Sequence, residues 1–314
     1  MDAEILREDK PVTETVITWL LASQTPSIRY LAMTRLAGEA VDSAKAAAAR
    51  SLIADTGPAA SILSQQQDGG HWNHQRHYYS PKYTSSHWSM LLLTELALDP
   101  SHPALQAGAD HMLRMLEPEI AAYRPGDKLL WVCLLGNWLR YQLYCGNLED
   151  ERVQTVIRYV CEDVLKGCVC QYNYQLPCAW GVARALFGLA LIPSDGRTSM
   201  VNTALQAGIH FLVNEYHLDK GDYPHKSKKH PLWSKTSFPL FYQADILSTL
   251  RLLKELDAHT LPGAQPARKW LLDRRTANGI WRGGSPFAKR TRPIGVEDDA
   301  VSRWVTLYAR DVLS

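Results

Sequence analysis

The chain lacks most features of membrane-spanning, secreted or nucleic-acid-binding proteins. No apolar run reaches the roughly 18 residues that a membrane-spanning helix needs, and no basic segment followed by an apolar stretch opens the sequence as a signal peptide would. The net charge of the 314 residues is only +2, which leaves no basic surplus for nucleic acid. We therefore expect a cytoplasmic protein with no nucleic-acid partner and no transmembrane segment, for which peripheral membrane contact stays open.

Cysteine is also sparse. The six cysteines all lie between positions 133 and 178, and without a secretory signal they are expected to be thiols or metal ligands rather than disulfides. The composition, with 46% hydrophobic and 21% charged residues, is ordinary for a globular protein. We predict one domain over residues 1–314.

Strand signals are scarce, and apolar residues recur mainly at a spacing of three and four, which indicates amphipathic helices. Each helix with a polar outer face is followed by one that is apolar nearly all round, which indicates burial on both sides. The apolar helices begin with SIRYLAM, YTSSHWSM, WVCLLGNW, PCAWGVAR, LFYQADIL and SRWVTLYA. The predicted outer helices are 13–22, 44–67, 102–116, 151–165, 198–216 and 264–275.

The apolar helices start roughly 45–65 residues apart, a period typical of stacked helical hairpins. Six outer helices around six inner ones predict an all-α fold, an (α/α)6 toroid of six helical hairpins with a central cavity. A linear solenoid is the alternative, but its terminal helices would need polar outer faces. The last helix, SRWVTLYARDVL, keeps an apolar face and favours the closed ring.

The loops differ in length according to their direction. Loops from an inner helix to the next outer one are short, whereas loops from an outer helix to its inner partner are long, and in a ring these long loops share one rim. Long loops on a rigid scaffold usually carry function, and the N-termini of the inner helices at this rim attract anions. The long loops are 68–82, 117–130, 166–177, 217–239 and 276–301.

Two segments carry a family resemblance. QQQDGGHW, residues 65–72, resembles the QW motif of triterpene cyclases, in which glutamine is followed by Gly-x-Trp after an apolar helix. WLLDRRTANGIWRGG, residues 270–284, resembles a second copy in which Gly279 and Trp281 match and the glutamine is missing. YTSSHWSMLLLTELAL is similar to inner helices of the same superfamily, which joins squalene–hopene-type terpenoid cyclases with protein prenyltransferases. The resemblance implies an α/α toroid and an isoprenoid-like substrate.

The QW-type motif also has a structural interpretation. Gly70 permits the turn after an outer helix, Trp72 fills the seam between neighbouring hairpins, and Gln65 caps groups at the helix end. The acid motif Asp-x-Asp-Asp of the cyclases is absent, and its nearest string is GVEDDA, which contains Asp298 and Asp299. The metal motif Asp-Asp-x-x-Asp of ionising terpene synthases is absent too. Cyclisation, isomerisation, elimination and prenyl transfer are therefore all open.

Four cysteines map to the predicted functional rim: Cys133, Cys168, Cys170 and Cys178. The run CVCQYNYQLPC could place three thiolates around one tetrahedral zinc ion, with Cys133 or a rim histidine as the fourth ligand. The resemblance to prenyltransferases, which bind a catalytic zinc in a similar toroid, also implies zinc. Small buried thiols of the core are the alternative.

His87 and Asp245 are the predicted catalytic residues. His87 stands in the first turn of the second inner helix, so its side chain is expected to reach the cavity as an acid, a base or a ligand. Asp245 is predicted to lie inside an apolar inner helix, where a lone charge must pair, bind something or be protonated. Such a carboxyl group can act as a general acid. A structural role, in hydrogen bonds or an ion pair, is the alternative for each.

Basic and aromatic residues are predicted to hold the substrate. The segments 225–235 and 288–292 are rich in lysine and arginine and lie beside helix N-termini, so together they could bind a diphosphate or carboxylate. Aromatic faces would line the cavity and stabilise a carbocation. Solvated surface and core packing are the respective alternatives. The predicted substrate-binding residues are Tyr83, Trp88, Trp180, Trp233, Tyr242, Trp304, Lys226, Lys228, Lys235 and Arg292.

These features predict an enzyme that resembles terpenoid cyclases and prenyltransferases. It would act on an isoprenoid or other apolar substrate with an anionic head, by acid/base or metal-assisted chemistry. The alternative is a non-catalytic toroid that binds a hydrophobic ligand or a partner protein. A glycan-active α/α barrel would need paired carboxylates, for which Asp298 with Asp222 or Asp245 is the candidate pair.

Overall fold

A computed structural model describes residues 10–221, 230–287 and 289–314. Across these ranges the fold is all-α, as predicted, except for one antiparallel pair of short strands, β1 (Val169–Cys170) and β2 (Leu176–Pro177). None of the helices within these ranges is long and apolar enough to cross a membrane. The α-helices are α1 (Lys10–Leu21), α2 (Pro26–Arg35), α3 (Ala44–Asp55), α4 (Gly57–Leu63), α5 (Ser86–Glu95), α6 (Pro103–Ala122), α7 (Val132–Tyr144), α8 (Glu151–Leu165), α9 (Ala179–Leu189), α10 (Ser199–His210), α11 (Ile246–Glu255), α12 (Gln265–Leu272) and α13 (Ala300–Leu313).

The outer helices follow the predicted segments with three main differences, the first being that α6 runs to Ala122 instead of ending at residue 116. The predicted helix 44–67 is divided into α3 and α4, because Thr56 has extended backbone angles and Gly57 a φ of 77°. The predicted helix 198–216 continues beyond α10 as a π-helix, Phe211–Glu215. Helix α8 has the predicted bounds, 151–165, and the Asp150 side chain caps it by accepting from the Arg152 backbone N–H at 2.9 Å.

The inner helices are buried on nearly all sides, as their apolar sequences predict. In α5 every residue from Ser86 to Thr94 is buried, and in α9 every residue except Trp180 is buried. Helix α5 packs against α7, α7 against α9, α9 against α11, α11 against α13, and α13 against α2. The outer helices α6, α8 and α10 pack in sequence on one another. The helices therefore lie in two layers.

Trp72 and Trp281 make the same contacts in the two QW-type segments. Each indole Nε1 donates to a carbonyl ten residues earlier, on Ile62 and Leu271 respectively, at 2.7 Å. Each tryptophan backbone N–H also donates to a hydroxyl of the following inner helix, the two distances being 3.0 and 2.9 Å. Both tryptophans thus tie an outer helix to the inner helix that follows it.

Two glutamines of the first QW-type segment extend this seam. Gln65 Nε2 donates to the Ser61 carbonyl at 3.1 Å and so caps the end of its own helix, as predicted. Gln66 Nε2 instead donates to the Ala104 carbonyl of α6, at 2.8 Å. The segment therefore joins neighbouring hairpins through Gln66 as well as through Trp72.

Two ion pairs with little exposure to solvent cross the interior between the inner helices. Arg251 of α11 pairs with Glu95 of α5 at 3.0 Å, and Arg140 of α7 pairs with Glu255 of α11 at 2.6 and 3.0 Å. Both pairs join helices that are not adjacent in the packing order. Because a buried charge is costly unless it is paired, these pairs fix the distances between α5, α7 and α11.

A small cavity lies beside this network. It has a volume of about 20 Å³ and is lined by Glu95, Arg184, Phe187, Phe238 and Arg251, among others. This volume suffices for about one water molecule. Among the described residues that the sequence predicts to bind substrate, none lines this cavity.

Removal of Glu95 should be costly, because it leaves the Arg251 guanidinium buried without its partner. We expect Glu95→Ala to lower the free energy of unfolding by about 3–5 kcal/mol. The double variant Glu95→Met, Arg251→Met should lose much less, since both charges are then gone. Urea denaturation monitored by circular dichroism measures both.

The exposed pair between Lys269 and Asp273, at 3.0 Å, supplies the control. Asp273→Ala should leave the urea midpoint unchanged, because exposed ion pairs contribute little to stability. A Glu95→Ala variant as stable as Asp273→Ala would contradict the structural role of the buried pair.

Candidate functional site

Aromatic side chains from three loops and from the first turns of α5 and α9 meet where these inner helices begin. The Tyr83 ring lies 5.5 Å from Trp88, 4.7 Å from Phe241 and 4.6 Å from Phe287, measured between ring centroids. Tyr242 and Trp180 extend the group, with centroids 6.2 Å apart. We call this group the aromatic cluster; it comprises Tyr79, Tyr83, Trp88, Trp180, Phe241, Tyr242 and Phe287.

Tyr83 stands at the centre of the aromatic cluster in an unusual backbone conformation. Its φ is 73°, in the left-handed region that bulky side chains rarely adopt. The side chain is 2% exposed, so packing against the other rings holds it there. Residues held in this region concentrate at functional sites, so Tyr83 stays a candidate for ligand contact.

Two exposed cations lie against the aromatic cluster. Lys82 Nζ is 4.4 Å from the ring centroid of Tyr242 and donates to its hydroxyl oxygen at 3.1 Å. The Arg290 guanidinium lies 5.3 Å from the ring centroid of Tyr83. No carboxylate in the described part of the chain forms an ion pair with either cation. The aromatic cluster thus carries two positive charges that are available to an anion.

The predicted basic residues have other positions. Arg292 is buried and donates to Gln65 Oε1 and, at 3.0 Å, to the Thr84 carbonyl, so it ties the loop before α13 to the loop before α5. Burial lowers the pKa of Arg292. Lys235 is exposed, while Lys226 and Lys228 lie outside the described residues.

Trp233 and Trp304 lie apart from the aromatic cluster. Trp233 is fully buried, packs on Tyr216 with centroids 4.7 Å apart, and donates to the Leu218 carbonyl. Trp304 is also fully buried and stacks on Phe238 at 4.4 Å. The structure therefore places both tryptophans in the core. The predicted aromatic residues that do belong to the aromatic cluster are Tyr83, Trp88, Trp180 and Tyr242.

His87 lies directly behind the aromatic cluster, in the first turn of α5 as predicted. It is completely buried, with its ring 4.6 Å from Trp88 and 6.3 Å from Tyr79, between centroids. Its Nδ1 shares a hydrogen bond of 3.1 Å with the Tyr141 hydroxyl. Its Nε2 is buried with no hydrogen-bond partner among the described residues.

The chemistry open to His87 follows from this burial, which lowers its pKa to about 3. The imidazole is therefore neutral at physiological pH and cannot act as a general acid there. A neutral imidazole can accept a proton or hydrogen-bond a ligand. The unpartnered nitrogen makes such an interaction favourable, since it would satisfy a buried polar atom.

The prediction that Asp245 lies inside an inner helix is wrong. Asp245 precedes α11 and caps its N-terminus. Its Oδ1 accepts from the Ser248 backbone N–H at 2.7 Å, and its Oδ2 accepts from the Ser237 backbone N–H at 2.9 Å. The Asp245 N–H donates to Ser248 Oγ and completes a capping box. Both carboxylate oxygens are thus engaged by the fold, which favours the structural role.

The pKa of Asp245 is nevertheless shifted from its ordinary value. Complete burial raises the pKa of this carboxyl to about 7, although the hydrogen bonds from Ser248 and Ser237 and the nearby Arg184 act in the opposite direction. Arg184 is itself buried and donates to the Gln243 carbonyl at 2.9 Å. Asp245 therefore titrates near neutrality inside the fold.

The four rim cysteines, Cys133, Cys168, Cys170 and Cys178, lie close together and form what we call the cysteine cluster. A hydrogen bond from Cys178 lowers the pKa of Cys170 to about 6, and burial raises the pKa of Cys133 to about 11. Among residues 10–221, 230–287 and 289–314, no group of three or more His, Cys, Asp or Glu side chains is arranged to hold a metal ion. The arrangement thus gives no support to the predicted zinc.

Sequence reasoning missed Lys82, which makes the closest contact between a cation and the aromatic cluster. The only signal is the alternation of tyrosine with a lone lysine in YYSPKY, residues 78–83. Arg290 belongs to the predicted basic segment 288–292. No protein-family model and no curated protein matches the chain.

Asp245 should make stability depend on pH. Its folded pKa of about 7 lies above the unfolded value of about 4, so the folded state binds the extra proton between these values. The free energy of unfolding contributed by Asp245 therefore falls as pH rises from about 4 to about 7. In Asp245→Asn this contribution is absent, so the stability of the wild type relative to the variant should decline over that range.

Urea denaturation at pH 4.5, 5.5 and 7.5 measures the difference in free energy of unfolding between the two proteins. The exposed Asp273 provides the matched control, because Asp273→Asn should run parallel to the wild type. If the free energies of unfolding of Asp245→Asn and wild type differ by the same amount at all three pH values, the raised pKa of Asp245 is wrong.

Proposed function

We propose that the protein is a terpenoid cyclase- or prenyltransferase-like enzyme with an (α/α)6 toroid fold, which acts on an isoprenoid or similar apolar molecule with an anionic head. The observation that carries the proposal is the pair of cations, Lys82 and Arg290, on the faces of the aromatic cluster without carboxylate partners among the described residues. Lys82 and Arg290 would bind the head, and the aromatic rings would bind the apolar chain.

The order of helix packing supports the toroid. The inner helices pack in the order α5, α7, α9, α11, α13 and α2, so the last inner helix returns to the first. The equivalent hydrogen bonds of Trp72 and Trp281 support a repeated hairpin unit near both ends of the chain. In such a ring the loops before the inner helices share one rim.

The charge arrangement favours an anionic head. Lysine and arginine donate charge-assisted hydrogen bonds to phosphate and carboxylate oxygens, and the arginine fork can bind two oxygens at once. Both side chains are exposed, so they can move toward a ligand without breaking an ion pair with any described residue. An anion bound between them would sit over Tyr83 and Tyr242.

The aromatic cluster favours an apolar chain. Trp180, Tyr242 and Tyr79 are only half-buried, so their faces are partly available to a ligand, whereas Tyr83, Trp88 and Phe241 form the buried floor. Aromatic faces also stabilise positive charge, which a carbocation would develop during isoprenoid chemistry. Lys82 already occupies such a position.

His87 is the residue proposed to take part in the chemistry. It lies under Tyr79 and Trp88, and its Nε2 has no partner among the described residues. A substrate chain that displaced the half-buried Tyr79, whose ring stacks on His87 with centroids 6.3 Å apart, would lie against the imidazole. The low pKa makes the neutral imidazole a weak base, so it would accept a proton only from a strong acid such as a carbocation, which elimination or cyclisation would supply.

Charge removal at the rim should weaken binding of an isoprenoid diphosphate. For farnesyl diphosphate as the probe, Lys82→Met and Arg290→Met should each raise Kd about 10-fold or more, the loss expected for a charge-assisted hydrogen bond. Quenching of tryptophan fluorescence reports binding, because Trp88 and Trp180 lie in the site.

Two controls separate the head from the chain. Lys269→Met removes an exposed lysine of α12 that faces an aspartate and should leave Kd unchanged. Farnesol, which has the same chain without the diphosphate, should bind more weakly and equally to wild type and both rim variants. Unchanged affinity of Lys82→Met and Arg290→Met for the diphosphate would contradict the head site.

The enzymatic part of the proposal rests on His87. In His87→Asn the rate of conversion of an isoprenoid diphosphate to organic-soluble products should fall at least 100-fold, a typical contribution of a general base, while Kd stays within about twofold. Gas chromatography with mass spectrometry measures the products. His111→Asn is the matched control, because His111 is also buried but stacks on His71, outside the aromatic cluster.

A non-catalytic toroid that binds a hydrophobic ligand is the second candidate. It is favoured by the complete burial of His87 and Asp245 and by the engagement of both Asp245 oxygens in the capping of α11. If the wild type retains farnesyl diphosphate and releases it unchanged, the enzyme proposal is wrong and the binding role is favoured. Products formed by His87→Asn at the wild-type rate would remove His87 from the mechanism.

A further inference from the structure

Half of the large apolar side chains that are exposed in the described part of the chain lie at or beside the hairpin of β1 and β2. Tyr172 and Tyr174 are 76% and 85% exposed, more than any of the others. Single exposed apolar residues are ordinary, whereas a group of them marks an interaction site. We call this group the hairpin face; its members are Trp131, Leu165, Val169, Tyr172 and Tyr174.

Hydrogen bonds hold the hairpin in a defined shape. Cys170 pairs with Leu176 across the two strands. Within the tip, the Gln175 backbone N–H donates to the Cys170 carbonyl at 3.1 Å, and Asn173 Nδ2 donates to the Pro177 carbonyl at 2.7 Å. The backbone is therefore fixed while both tyrosine rings of the tip stay in solvent, so their exposure is built into the fold.

Trp131 joins the hairpin face from the loop before α7. Its ring lies 6.0 Å from the ring of Tyr172, between centroids. The Tyr159 hydroxyl of α8 donates to the Leu130 carbonyl at 3.0 Å, which fastens this loop to the helix that leads into the hairpin. Trp131 is 39% exposed, whereas every other tryptophan of the described residues is buried or half-buried. Two loops thus contribute to one exposed aromatic surface.

The charges of the same two loops are mostly positive. Residues 123–131 and 166–178 contain three exposed cations and one exposed anion, namely Arg124, Lys128, Lys166 and Asp127. No described carboxylate forms an ion pair with any of the three cations. Glu162, near the end of α8, accepts from the Tyr123 hydroxyl at 3.3 Å, and its neighbour Asp163 is half-buried. The exposed charges of the two loops are therefore complementary to a negative surface.

We propose that the hairpin face docks on a lipid bilayer that contains anionic lipids. Tyr172, Tyr174 and Trp131 would lie at the level of the headgroups, where tyrosine and tryptophan rings are favoured because one end is apolar and the other polar. Lys128 and Lys166 would lie beside lipid phosphates, since an anionic surface attracts nearby lysines. Projecting rings can enter a soft bilayer directly, whereas a protein partner would need a pocket for each ring.

The docking surface and the proposed isoprenoid site depend on different residues. No member of the hairpin face belongs to the aromatic cluster, so either assignment can fail without the other. If both hold, the docked protein places Trp180, six residues after Tyr174, near the bilayer in which an apolar substrate dissolves. Only that consequence rests on the proposed function.

Cosedimentation of the full-length protein with lipid vesicles tests the docking, with no isoprenoid in the assay. The probe is a mixed vesicle of phosphatidylcholine and phosphatidylglycerol, and a vesicle of pure phosphatidylcholine is the comparison. Because the loops carry three exposed cations against one anion, the mixed vesicle should bind at least about 10-fold more tightly at low salt. High salt should remove most of this difference, since it screens exposed charges.

Paired substitutions separate the aromatic part of the face from the basic part. Tyr172→Ser with Tyr174→Ser should weaken binding to the mixed vesicle at least about 10-fold, because the burial of two rings is lost. Lys128→Gln with Lys166→Gln should reduce that binding to near the value for pure phosphatidylcholine. Val41→Ser with Leu261→Ser is the matched control. It removes side chains that are 61% and 41% exposed in other loops, and it should bind as the wild type does.

Quenching by brominated acyl chains reports which side of the protein meets the bilayer. Trp131→Phe should still cosediment but should lose most of the quenching seen in the wild type. Circular dichroism checks that the helices of each variant are intact. Binding of the tyrosine variant as tight as that of the wild type would overturn the proposal. Failure of the wild type to bind either vesicle would overturn it too, and would favour a protein partner for this face.

Discussion

The ion pairs that α11 makes with α5 and α7 set the interior of this protein. The side chains of Arg251 and Glu95 are 10% and 8% exposed, and those of Arg140 and Glu255 are 9% and 20% exposed; charges with so little access to solvent are stable only beside their partners. These pairs therefore require the inner helices to meet at fixed distances. They also occupy the interior beside a cavity of about 20 Å³. A ligand of isoprenoid size does not fit into that volume.

Much of the fold can be predicted from the sequence, because periodicity and capping act locally. The alternation of charged and apolar residues predicts the extent of α8, and the capping residue Asp150 marks its first turn. The Gly-x-Trp pattern predicts equivalent seams at Trp72 and Trp281, which the structure contains even though the second segment lacks the glutamine. Here the tryptophan and glycine carry the seam, whereas the glutamine adds contacts to it.

The site is less predictable, because it depends on residues far apart in the chain. Lys82 meets Tyr242 across 160 positions, and Arg251 meets Glu95 across 156. No local pattern reports such contacts. Asp245 differs from these cases, because the string DILS contains the capping box, with Ser248 three residues after the aspartate, and so carries a local signal for a helix start. His87 lies in the predicted first turn of its helix, but its burial depends on Tyr79, Trp88 and Tyr141.

The central claim is that the aromatic cluster with its two cations receives an apolar molecule with an anionic head. A crystal structure of the protein with farnesyl diphosphate tests this most directly. We expect diphosphate oxygens within about 3 Å of Lys82 Nζ and the Arg290 guanidinium, a hydrogen-bond distance, with the chain against Trp88, Trp180 and Tyr242. A diphosphate bound elsewhere, with the aromatic cluster free of the chain, would contradict it.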